Sequence, residues 1–200
     1  MPRSPRRTNP GVRDGDVQKK NRTERSRHYN NYRQQTPVID RLRPGDGYRH
    51  LLRKSELGAF LELLPDWDEL SEGLDAVILA PGSPRRMGYY DDGVVAVCAW
   101  ERELAHECDL EWVVEHEAIL DRLDVRREKR TPGSLFVHWS ERSAKGFQLL
   151  HVLLHELGHH SDRMTTRSRQ SASRGETFAE DYAVRHADVI WERAAARFGL

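Results

Sequence analysis

Residues 147–162 read FQLLHVLLHELGHHSD. Inside this stretch His155, Glu156 and His159 spell H-E-x-x-H. On a helix, two histidines four positions apart lie one turn above the other on a single face. Their imidazoles are then placed to share one tetrahedral zinc ion, Zn2+. Glu156 falls about 100° further round, close to a water at such a metal without being a ligand itself. That is the placement of a general base in a zinc hydrolase.

The residues around the motif carry the reading outward. Leu149, Leu150, Val152, Leu153, Leu154 and Leu157 point in nearly every direction, which predicts a helix buried on most sides. The polar interruption is a stripe of His151, His155 and His159, with Glu156 beside it. Buried imidazoles and a carboxylate are costly unless something satisfies them, and a metal ion does so. Val152 before the first histidine, and uncharged Leu157 and Gly158 between the pair, fit the stricter form of the motif. Ser161 departs from it. The competing reading is a core helix rich in histidine.

The charge distribution divides the chain. Residues 1–44 hold twelve Lys or Arg against four Asp or Glu, while the whole chain is neutral, so a basic arm precedes an acidic body. The arm is Arg, Asn, Pro, Ser and Gln with few large apolar residues, a composition that predicts disorder over residues 1–45. Its charge allows contact with nucleic acid, although it lacks a repeated aromatic-basic pattern. Only Cys98 and Cys108 are present, and neither sits in a C-x-x-C, so ordinary buried thiols in a reducing, cytoplasmic protein are expected. No apolar run approaches a membrane span or a signal peptide core.

The body, residues 46–200, is expected to be one α+β domain that begins to fold near Gly47. Ser55 is expected to cap a short helix through Leu64, with Pro65 beyond its end. Residues 74–80 (LDAVILA) and 94–100 (VVAVCAW) read as strands. Residues 87–90 are aromatic and suit a hairpin or a packing role. Residues 109–123 carry Trp112, Val113, His116, Ile119, Leu120 and Leu123 at helical spacing, with His116 as a packing residue. Residues 135–139 (LFVHW) read as a strand, either in the core or as an edge along which an extended substrate pairs. A polar, mobile connection is expected over 163–174. One long helix follows over 174–198, packing through Phe178, Tyr182, Val189 and Ile190.

Two histidines do not complete a catalytic zinc site, because a third protein ligand must join them and leave a position for water. A histidine ten residues after His155 would make the metzincin pattern, but Thr165 stands there. Asp162 shares the helical face of the histidines, yet three ligands on one helix would strain tetrahedral geometry, so a second helix is the better source. Residues 175–183 read GETFAEDYA. With H-E-x-x-H upstream, this segment resembles the gluzincin zinc peptidases, most closely the catalytic segment of the anthrax lethal factor type and more loosely the thermolysin and ImmA/IrrE types. The resemblance covers about residues 151–186. It implies Glu176 as the third zinc ligand and Glu180 as the carboxylate supporting a ligand histidine. Glu176 and Glu180 stack on one helix face, which agrees, although Ser173 and Glu176 also make a capping box.

The resemblance further implies a small mixed sheet packed on the motif helix and a C-terminal ligand helix, in a zincin-like fold. Its activity would be hydrolysis of a peptide bond in a protein or peptide substrate, with Glu156 as general base. Where the lethal factor type has a tyrosine, this chain has Arg169, so Tyr182, His160, His186 and a loop arginine are the candidates for stabilising an oxyanion. Two other readings stand beside the peptidase: a domain that zinc merely stabilises, and a nucleic-acid-binding protein that works through its arm.

Overall fold

The computed structural model describes residues 36–166 and 174–200, together with the backbone of a short antiparallel pair, β1 (Gly11–Arg13) and β2 (Asp16–Gln18). The rest of the expected arm, and residues 167–173 of the expected polar connection, lie outside the described residues. The first element of the body is β3 (Val38–Arg41). It lies within the segment expected as arm, so the folded chain starts earlier than Gly47. Ile39 explains the difference, because it packs against the main core.

After β4 (Tyr48–Arg49) comes α1 (Lys54–Leu61), which buries Leu57, Phe60 and Leu61. Its cap is Arg53 rather than Ser55: the Arg53 N–H donates to Glu56 Oε2 at 2.8 Å, closing the first turn. A short α2 (Trp67–Leu70) leads into β5 (Ala76–Ala80), β6 (Gly88–Asp91) and β7 (Val94–Cys98). These form a mixed sheet in the order β3-β5-β7-β6, parallel except for β6, which turns back antiparallel on β7. Both central strands are buried throughout, as a sheet covered on two faces requires.

The chain continues through β8 (Trp100–Glu101), paired with β4, to β9 (Ala105–Asp109). The single helix expected over 109–123 is two, α3 (Leu110–Glu115) and α4 (Glu117–Arg122). They part at His116, whose backbone leaves the helical basin at φ −100° and ψ 10°. Next, β10 (Arg126–Thr131) and β11 (Ser134–His138) complete an antiparallel sheet in the order β10-β11-β9. Since β11 is paired on both sides, it is not the free edge that could take up a substrate.

Helix α5 (Glu141–Phe147) is capped by Ser140, whose Oγ accepts from the Ser143 N–H at 3.0 Å. It runs without interruption through a π-helical stretch, Gln148–Leu153, into α6 (Leu154–Thr165). Leu149, Leu150, Leu153, Leu154 and Leu157 are at most 1% exposed. Each such side chain contributes roughly 1.5–3 kcal/mol when buried, which makes this helix the central pillar of the core. Helix α7 (Gly175–Phe198) crosses α6. Of its expected packing residues, Tyr182 and Ile190 are buried, whereas Val189 is 64% exposed and faces outward. The architecture is α+β, with small sheets and helices. Among the described residues no helix is long and apolar enough to cross a membrane.

Candidate metal centre

His155 and His159 project from α6 toward the first turn of α7, where Glu176 sits. His155 Nε2 is 3.1 Å from His159 Nε2 and 3.1 Å from Glu176 Oε2, and His159 Nε2 is 3.5 Å from that same oxygen. On its other side, His155 Nδ1 donates to Glu180 Oε2 at 3.2 Å. In the neutral tautomer that keeps its proton on Nδ1, Nε2 of His155 turns a lone pair toward both neighbours. Three ligand atoms thus converge on one point. Ligands held about 2.0–2.1 Å from a tetrahedral zinc lie roughly 3.3 Å from one another, so the triangle has the size that zinc requires. Two imidazoles and one carboxylate are also a donor set that leaves a fourth position open. Both features fit the ion expected from the sequence.

Two close contacts bring α7 to this point. Gly158, between the two histidines, lies against α7 so tightly that a Cβ there would stand 2.8 Å from Ala179 Cα and 3.0 Å from Ala179 O. Asp162, at the end of the motif, is fully buried and is not turned to the histidines. It accepts instead from the backbone N–H groups of Arg174 and Gly175, both at 3.2 Å, and from Arg174 Nε at 2.7 Å. It thereby ties down the start of α7, one residue before Glu176. The capping box expected from Ser173 falls on a residue outside the described ones.

Glu156 stands beside the triangle, buried against the edge strand: a Cβ on Gly88 of β6 would lie 2.8 Å from Glu156 Oε1. Burial pushes its carboxyl up to about 7, with His155 and Arg86 opposing and Glu176 adding to the shift. Burial works against protonation of His155, but its hydrogen bond to Glu180 and the surrounding carboxylates outweigh that and raise its pKa. For Glu180 the sign is reversed; the His155 hydrogen bond and nearby imidazoles outweigh burial and hold it low. His151, one turn before His155, is held down to about 4 chiefly by burial.

The triangle opens on a cleft of about 1320 Å³ whose walls include β6, Trp112, His116, Phe147 and Arg163. Of the side chains considered as oxyanion stabilisers, Tyr182, His160 and His186 are absent from it. His160 is buried and donates through Nε2 to the Glu72 carbonyl at 3.0 Å. Tyr182 and His186 stack on each other, ring centres 3.8 Å apart, in a separate groove. The cleft arginines are Arg85, Arg86 and Arg163, and Arg86 lies over the Tyr89 ring at 4.2 Å. Sequence reasoning passed over Arg86, whose only signal was its place just before the aromatic run of residues 87–90. Cys98 and Cys108 are free, and burial pushes both thiols up to about 11, which disfavours the reactive thiolate form. Compared with protein-family models, with curated proteins and with solved structures, the chain matches none.

Proposed function

We propose that this chain is a zinc-dependent peptidase of the gluzincin type, with a zincin-like placement of the four-stranded sheet over the motif helix. The observation that carries the reading is the triangle of His155 Nε2, His159 Nε2 and Glu176 Oε2, with a carboxylate beside it that is not part of it. These three side chains would hold the ion, and Glu180 would orient His155. When bound, zinc supplies Lewis-acid polarisation of a carbonyl and makes water acidic enough to lose a proton near neutral pH. Glu156 then accepts the proton of the attacking water and delivers it to the leaving amine. A structural site has no need of such a base, which favours an enzyme over a domain that zinc merely stabilises.

The cleft favours an extended substrate. At about 1320 Å³ it exceeds the usual 300–1,000 Å³ of a small-molecule site. One wall is β6, at the end of its sheet, and its outer side has no strand partner among the described residues. A peptide laid along β6 gains main-chain hydrogen bonds and passes Glu156, which abuts Gly88. Free thiols at both cysteines favour a reducing compartment such as the cytoplasm.

The test is Glu156→Gln, which keeps the shape of the side chain and removes the base. Zinc content and fold should be unchanged, while cleavage of peptides from a lysate digest falls by on the order of a hundredfold or more. Undiminished cleavage by this variant would defeat the mechanism.

A further inference from the structure

Glu180 uses only one of its two oxygens on His155. Oε2 accepts from His155 Nδ1, whereas Oε1 is directed to the other side and lies 3.7 Å from His151 Nδ1. That separation is too long for a hydrogen bond and close to the spacing of two ligands on one ion, roughly 3.3 Å around zinc. A third ligand faces the same point. His116, at the junction of α3 and α4, donates through Nδ1 to the Trp112 carbonyl at 2.7 Å, which fixes the proton there and leaves Nε2 as a lone pair. One ligand atom each from His116, His151 and Glu180 lies within 4.8 Å of the others.

The imidazoles are held in place by packing. His116 stacks on Trp112 with ring centres 4.4 Å apart, and His151 stacks on Phe147 at 4.8 Å. The two imidazoles meet edge to face at 4.5 Å. His116, His151 and Glu180 all line the cleft, so solvent ions reach them. The break at His116, which the helical period does not anticipate, is what swings this ring inward between the two helices.

We propose that His116, His151 and Glu180 form a second divalent-cation site, for zinc or another ion that accepts imidazole nitrogen, linked to the first through the shared Glu180 carboxylate. Two nitrogens and one oxygen suit Zn2+ or Co2+ and discriminate against Mg2+ and Ca2+, which prefer all-oxygen shells. This site does not depend on the chain being a peptidase. An ion on Oε1 draws charge from the carboxylate and weakens its hold on the His155 proton, so filling the second site lowers affinity at the first.

The experiment is metal counting on the full chain. The protein is stripped with a chelator, titrated with Zn2+ and separately with Co2+, and the bound ions are measured by elemental analysis. Two ions per chain are expected at saturation, one in His116→Ala, and one in His159→Ala. His116→Gln serves as a second variant should His116→Ala fail to fold, and circular dichroism checks each protein. One ion in the parent chain, kept in His116→Ala and His116→Gln and lost in His159→Ala, would overturn the second site and leave the first standing. One ion kept in His159→Ala and lost in His116→Ala would support the second site and remove the first.

Discussion

Gly158 of α6 and Ala179 of α7 touch backbone to backbone, closely enough that a methyl group on Gly158 would meet Ala179 Cα at 2.8 Å. The residue between the two motif histidines therefore sets how near Glu176 and Glu180 can come to them.

Gly158→Ala puts two effects in opposition. Alanine gains about 1 kcal/mol of helix propensity over glycine. Overpacking costs roughly 1–3 kcal/mol, and here the obstructing atoms are backbone that cannot swing aside. We expect α7 to be pushed outward and zinc affinity to fall at least tenfold. A competition titration with a chromophoric chelator measures this. Unchanged affinity would mean that the helix crossing does not position the ligands.

Asp162 gives a second prediction, with a sign in pH. Burial alone would raise its pKa, but the hydrogen bonds from Arg174, Gly175 and Thr166 and the Arg174 charge outweigh it and hold the carboxyl below the ordinary aspartate value. A group depressed in the folded state contributes stability that is complete above its unfolded pKa and is lost as pH falls through the folded one. Acid unfolding should therefore include a component from Asp162 that vanishes in Asp162→Asn. At neutral pH that variant should lose about 1–3 kcal/mol, because the part-buried donors of Arg174 and Gly175 keep a weaker acceptor. Chemical unfolding at pH 7 and at about pH 2, below the ordinary aspartate range, checks both statements.

A third prediction concerns the start of the fold. A chain beginning at residue 46 lacks β3, which exposes the side of β5 with which it pairs and removes Ile39 from the core. Relative to a chain beginning at residue 36, the loss is roughly 2 kcal/mol of apolar burial. That corresponds to a fall of about 4–8 °C in unfolding temperature for a chain of this size, readable by thermal scanning. Equal unfolding temperatures would show that β3 is an ornament of the sheet.

The motif helix was legible in the sequence because it is a contradiction there: a helix apolar on all sides with one polar stripe that burial alone cannot tolerate. Glu176 and Glu180 were legible because their spacing repeats the helix turn and their neighbours carry a resemblance. β10 was not, since RREKRT has no apolar alternation, and it forms a strand through pairing with β11 rather than through burial. The break at His116 was hidden for a different reason. The apolar period continues across it, while the change of direction depends on a backbone angle and a side-chain bond to Trp112. Asp162 was visible on the right face, but only the return of a distant segment shows that it serves the helix end.

The π-helical stretch Gln148–Leu153 joins two halves of one helix that answer to different masters. Upstream, Gln148 Nε2 donates to the Cys98 carbonyl and moors the helix to the end of β7. Downstream, the histidines must look at α7. The widened turn works as a vernier between those two settings, because an extra residue there rotates one half relative to the other without moving either anchor. Removing a single residue from it would return the run to a regular α-helix and turn the two ends out of step. The chain would then have to choose between its mooring on the sheet and the aim of its imidazoles.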